Sequence, residues 1–223
     1  MKKMILIVSM FTFTFPAISQ QTKYEKTLSQ ALAKLEDAEG REALAEAANT
    51  FERIGNAMPG EWLPFYYHAF TNMRLAMALM EEGQMGECQA YVSKAQESLD
   101  KAMAIEEENS EIWALQGLIF QGRIWEDPQA RGAEFSMKSH QALDKAISIG
   151  PENPRAYYLK GQNVFFTPSF YGGGPEAALP LLEKAENLFE TSGSGNALEP
   201  NWGRETNREL LNRARAAKSE EKN

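Results

Sequence analysis

The 223-residue chain has one cysteine and two histidines. A lone Cys88 cannot close an internal disulfide, so packing must hold the fold. In its context, GECQAY, it is expected as a small, half-buried helix residue, with an intermolecular disulfide as the other option. His68 and His140 stand far apart and show none of the spacings H-x-x-x-H, H-E-x-x-H or C-x-x-C, so they offer no zinc-type ligand set and read as ordinary helix positions. The acidic run at 106–109 lacks the spaced ligands of a calcium loop. No metal site, no cofactor and no catalysis are expected. Basic residues are also in deficit: 23 Lys and Arg face 31 Asp and Glu, a formal charge of -8. Nucleic acid, which is bound by neutralising phosphates, is therefore excluded as a partner, and so is an anionic membrane surface.

Long apolar runs are absent beyond the start. There, Lys2 and Lys3 precede an apolar stretch from Met4 to about Phe15, then Pro16 and the small-residue site Ala17-Ile18-Ser19. This is the order of a secretory leader, with cleavage expected after Ser19, and the stretch is shorter than the ~20 residues of a bilayer span. Loss of the leader takes the charge from -8 to -10 by removing two lysines. No cysteine follows the cleavage site to carry a lipid. A periplasmic or secreted protein without a membrane span is expected.

The rest of the chain holds a repeat obscured by unequal spacing. Three segments align without a gap: AEAANTFERIGNAMPGEWLPF, SKAQESLDKAMAIEEENSEIW and KSHQALDKAISIGPENPRAYY. A small residue (Ala47, Ala95, Ser139) is followed four later by Phe51, Leu99 or Leu143 and seven later by Ile54, Ala102 or Ala146, which puts all three on one helix face. Twelve residues on come Pro59, Glu107 and Pro151, eighteen on Phe65, Trp113 and Tyr157, and twenty-two on Ala69, Gly117 and Gly161. PEAALPLLEKAENLF is a partial fourth copy, with Ala178, Leu182 and Ala185 in register.

In these residues the chain resembles the tetratricopeptide repeat (TPR) family over about residues 41 to 190. The aromatic and small pairs Phe65/Ala69, Trp113/Gly117 and Tyr157/Gly161 fit helix A of that family. Ala95-Leu99-Ala102 and Ala178-Leu182-Ala185 fit helix B, and Pro59 and Pro151 fit the closing turn. Glu107 and Ser139 depart from it, as do His68, Gln116 and Lys160 where the family has leucine. The step from the helix A small residue to the helix B small residue is 26, 22 and 17 residues here, where the family has about twelve. The resemblance implies an all-α, TPR-like solenoid of about four antiparallel helix pairs, with the extra residues expected as lengthened loops inside each repeat, on one rim. The expected organisation is a leader at 1–19, a repeat domain at 20–190, a Ser/Gly linker at 191–200, a C-terminal capping helix at 201–217 carrying Leu210, Leu211 and Ala214, and a frayed tail at 218–223.

Two regions are candidates for binding. The resemblance implies that Tyr66, Phe70 and Met73, then Ala114, Leu118 and Gln121, then Tyr158, Gln162 and Phe165 line the concave groove. These are mostly apolar or aromatic where a solvated face would carry Lys and Glu, so either a partner or the inserted loops must cover them. The rim carries Arg123, Trp125, Arg131 and Phe135 in one insertion, with Phe166, Phe170 and Tyr171 in the next. Those rings either bury one another as a satellite core or form a pocket in which Arg123 or Arg131 meets an acidic group. The glycines of PSFYGGGPEAALP lack the strand and the lysine of a P-loop, and read as a turn with Pro175 opening a helix. The resulting expectation is a non-enzymatic adaptor of the cell envelope that takes a protein or peptide in its groove. The alternative is a small-molecule binder with an aromatic pocket at the rim.

Overall fold

The computed structural model describes residues 15–191 and 196–220, with side chains from 21 to 191 and from 196 to 219. The leader expected at 1–19 lies outside the described residues up to 14. Among the described residues the fold is all-α. The helices are α1 (Phe15–Glu36), α2 (Gly40–Ala57), α3 (Trp62–Glu81), α4 (Met85–Ile105), α5 (Ser110–Ile124), α6 (Pro128–Ile149), α7 (Pro154–Phe166), α8 (Pro175–Thr191) and α9 (Arg204–Glu220), with a 3-10 turn at Ser169–Tyr171. Ser19 therefore lies within α1, and α9 extends into the segment read as a tail. No described helix is long and apolar enough to cross a membrane.

Local sequence sets the helix starts. Asn109 accepts hydrogen bonds from the backbone N–H of Glu111 and Ile112, Asp127 from Ala130, and Asn153 from Arg155; Pro128 and Pro154 supply the preset φ of a first turn. The expected spacings of three and four put Tyr24, Leu28, Ala31 and Leu35 on the buried side of α1, and Leu210, Leu211 and Ala214 on that of α9. α3 differs because it is buried nearly all round: Phe65, Tyr66, Tyr67, Ala69, Met73, Leu75, Ala76 and Leu79 are all inside.

Each helix packs on its successor, and α3, α5, α7 and α9 also touch one another in order. Close approach explains the small residues of helix A. A methyl at Gly117 would stand 2.6 Å from Leu143, and one at Gly161 would stand 2.7 Å from Leu182. Leu143 of α6 and Leu182 of α8 thus fill the places left by Gly117 on α5 and Gly161 on α7. Cys88 is wholly buried, not half-buried, in the first turn of α4, and burial raises its thiol pKa.

The expected long loops are a correction. The connectors at 82–84 and 125–127 are three residues long; of the three places where an insertion was expected, 167–174 alone is a longer loop. The extra residues lengthen the helices instead, because segments such as LAMALMEE and QARGAEFSMK are rich in good helix formers, which add a turn more readily than a loop. Arg123 therefore sits in α5 and Arg131 in α6, with Trp125 at the end of α5.

Candidate functional site

The inner face is covered by the chain itself. Residues 196–203, expected to be part linker and part capping helix, run across α3 and α7 and reach α1, with Pro200 buried. The Trp202 indole stacks on Phe70 at 4.5 Å between centroids, 17° from parallel. Its N–H donates to the Tyr66 hydroxyl at 3.0 Å, and the Tyr67 hydroxyl donates to the Leu198 carbonyl at 2.9 Å. Arg155 donates to the Trp202 carbonyl at 3.4 Å, and Asn201 reaches Glu36 on α1 at 3.1 Å. At Gly203, φ is +101° and a methyl would press on Phe189 and Tyr158 at 3.4 Å, so glycine lets this strap turn into α9 against the core.

Beneath the strap lies an ion pair between buried Arg155 and half-buried Glu111. Arg155 donates through Nε and one terminal nitrogen to the two Glu111 oxygens, both at 2.6 Å. Burial alone would lower the Arg155 pKa, but the Glu111 hydrogen bonds and charge raise it. Burial pushes the Tyr66 phenol well above its ordinary value, reinforced by Glu111 and opposed by Arg155; Tyr67 and Tyr158 are raised mainly by burial too. These phenols are neutral hydrogen-bonding groups; Tyr66 and Tyr67 hold the strap, and Tyr158 meets Thr206 of α9.

The residues expected along a groove are therefore mostly interior. Tyr66, Met73, Ala114, Leu118, Gln121 and Tyr158 are buried, and Phe70 lies under Trp202. Gln121 donates to Ser139 at 3.1 Å and to the Leu159 carbonyl at 2.9 Å, tying α5 to α6 and α7. Gln162 is half-buried. The cover over this face is the C-terminal strap, not the inserted loops.

The rim is different. Among the described residues Phe166 is 62% exposed, Phe170 78% and Tyr171 75%. Phe165 and Phe166 meet edge to face at 5.1 Å, and Phe170 lies on Tyr171 at 4.2 Å. Phe165 packs partly against the core, whereas Phe166, Phe170 and Tyr171 stand on the surface and not in the satellite core that was one expectation; for Phe170 and Tyr171 the reason is that the turn that carries them is folded tightly on its own backbone. Gly174 N–H donates to the Val164 carbonyl at 2.9 Å and Gly173 N–H to Pro168 at 3.3 Å. Gly172 and Gly174 have φ of +83° and +104°, and a methyl at Gly173 would meet the Thr167 carbonyl oxygen at 2.3 Å. Pro175 then opens α8. With its backbone drawn back onto α7, the turn leaves Phe170 and Tyr171 in solvent.

The two arginines expected to serve this patch are engaged elsewhere. Arg123 donates to Ser93 at 3.0 Å and is half-buried, and Arg131 pairs with Glu126 at 2.6 Å. Trp125 packs beside Gly122, and Phe135 lies 6.2 Å from Phe120. Instead, Arg213 of α9 lies over Phe165 and Phe166, at 5.1 and 5.7 Å from their centroids. Met137 on α6 is 60% exposed, and its neighbour Ser136 is hydrogen-bonded to Asn163 of α7 at 3.1 Å. Hollows of about 320 and 400 Å³ open elsewhere, one between α1 and α2 and one where Lys101 overlies Phe65.

Sequence reasoning missed the strap and Arg213. The signal for the strap was present in EPNWG: Pro200 is out of place in a Ser/Gly linker, and Trp202, read as part of the capping helix, precedes α9, which starts at Arg204. For Arg213 the signal was its place in helix register, between Leu210 and Ala214 on the face that meets α8 and the end of α7.

No family model matches the chain, and no curated protein sequence does. Among solved structures it is similar to the HusA haemophore from Porphyromonas gingivalis, with a TM-score of 0.78 and 30% identity over 89% of this chain and 96% of that one. A likeness that holds at this identity across nearly all of both chains places the chain in the same family as that haemophore.

Proposed function

We propose that this chain is a carrier of haem or a related flat tetrapyrrole, held on the exposed ring patch of Phe166, Phe170 and Tyr171, in a helical array of TPR-like pairs closed by α9. The observation that carries this reading is the exposure of three large rings close in sequence, Phe166 at the end of α7 and Phe170 and Tyr171 on the turn that follows it, in a chain whose relative is named for carrying haem. Soluble proteins expose single apolar side chains freely, but large exposed rings gathered within residues 166–171 mark a candidate contact surface. Stacking a planar ligand on it would cover roughly 150–200 Å² of ring surface, worth about 4–5 kcal/mol at ~25 cal/mol per Å². With the ligand's own face counted, that supports micromolar or tighter binding after the cost of association.

The groove-binding adaptor reading loses its surface, since the strap from Leu198 to Gly203 already occupies the inner face. A carrier also needs no chemistry of its own, in keeping with the dispersed histidines. The leader-like start, with Lys2, Lys3 and Ala17-Ile18-Ser19, supports action outside the cytoplasm.

The test is an absorbance titration of ferric haem into the purified protein. Saturable binding near equimolar ratio is expected. A variant with Phe166, Phe170 and Tyr171 all changed to Ala should bind at least tenfold more weakly while its helical circular dichroism is unchanged. Equal binding by the two proteins would remove the rim as the site.

A further inference from the structure

We infer that Arg213 is the specificity-determining residue of the aromatic rim, and that it makes the site select planar ligands bearing carboxylates over their neutral esters. The inference rests on the rim binding a flat ring system, as proposed above, and it adds which groups on that ring are read.

The basis is the company Arg213 keeps. The other basic residues of α9 in the described chain are each paired with a carboxylate: Arg204 and Arg208 with Glu186, Arg215 with Glu183, and Lys218 with Glu176. Arg213 is exposed, and its contacts are the faces of Phe165 and Phe166. A guanidinium resting on rings keeps its in-plane N–H donors available, and that fork matches a carboxylate in bidentate fashion. The ring faces hold the cation by cation–π attraction and shield one side from water, which strengthens a hydrogen bond made along its edge.

Charge makes such a group necessary. The chain carries a formal charge of -8, so a dianionic ligand meets general repulsion and needs a local cation to stay. Arg123 and Arg131, the other arginines near this end, already donate to Ser93 and Glu126. A ligand stacked on Phe166 with an acidic edge toward α9 finds one open guanidinium, that of Arg213.

The experiment compares ferric protoporphyrin IX with its dimethyl ester, titrated into the wild type, Arg213→Ala, Arg213→Lys and a Phe166→Ala/Phe170→Ala double variant. The wild type should prefer the diacid by about ten- to hundredfold, the range of one charge-assisted hydrogen-bond pair. Arg213→Ala should erase that preference, read as the ratio of diacid to ester affinity within the same protein, and Arg213→Lys should restore part of it. The ring variant should weaken both ligands alike. Equal affinity of the wild type for both ligands, or an undiminished preference in Arg213→Ala, would overturn the assignment while leaving the aromatic site standing. Failure of both ligands to bind the wild type, or their unchanged affinity for the ring variant, would overturn the proposed function, and the role of Arg213 with it.

Discussion

The Trp202 indole lies flat on Phe70, 4.5 Å away, and donates its N–H to Tyr66 at 3.0 Å. One side chain from the C-terminal strap thus satisfies both an apolar and a polar group on α3, so the inner face is finished as interior and not held open. Trp202→Ala should cost about 2–3 kcal/mol in chemical denaturation, below the full value for a buried tryptophan because Trp202 is half-exposed. Trp202→Phe should recover the stacking part but leave the Tyr66 hydroxyl without its donor. The rim should be unaffected, so haem binding by Trp202→Ala should stay within about twofold of wild type under native conditions.

The Arg155–Glu111 pair lies under the same strap, with both contacts at 2.6 Å. Arg155→Ala should destabilise by about 1–3 kcal/mol, since it leaves the half-buried Glu111 carboxylate without its partner. Removing both charges, as Arg155→Met with Glu111→Leu, should cost less than Arg155→Ala alone. Denaturant midpoints for the single and double variants form the cycle that measures this coupling.

The glycine turn separates two kinds of constraint. Gly172→Ala meets open space but keeps a φ of +83°, so about 1–2 kcal/mol of backbone strain is expected. Gly173→Ala would bring its methyl to 2.3 Å from the Thr167 carbonyl oxygen, which no rotamer relieves. The backbone must move, and Phe170 and Tyr171 move with it. Haem affinity should therefore fall further in Gly173→Ala than in Gly172→Ala, whichever variant melts lower.

Much of this architecture was legible as spacing. The distances between alanines, aromatics and glycines along the chain gave the helix pairs, because Gly117 on Leu143 and Gly161 on Leu182 are contacts that a repeat must make each time. Features made once leave no repeat to read. The strap depends on a single tryptophan reaching across 136 residues to Tyr66, and the rim cation depends on α9 docking beside Phe165. Phe170 and Tyr171 were marked by sequence, but their exposure follows from backbone hydrogen bonds of the glycine turn, which composition alone does not reveal.

Acid should weaken the fold through its two histidines. Burial lowers the pKa of His68, where Lys101 and Lys94 also act and Glu52 opposes; burial and Lys160 lower that of His140, where Asp144 opposes. With folded values below the unfolded 6.5, the unfolded chain binds more protons in the window between them. Stability is therefore fully present above 6.5 and declines as pH falls from there toward the folded values. Melting temperature should drop between about pH 7.5 and about pH 5.5, and a His68→Gln/His140→Gln variant should show a flatter profile.

The central claim is one of place: the ligand sits on the rim, and the inner face belongs to the strap. Backbone and aromatic NMR resonances followed during titration with a diamagnetic zinc porphyrin test it most directly. The account predicts perturbations concentrated at Phe165, Phe166, the 167–174 turn and Arg213, with Tyr66, Phe70 and Trp202 unmoved. Perturbations centred on Tyr66, Phe70, Tyr158 and Trp202, with the rim silent, would contradict it.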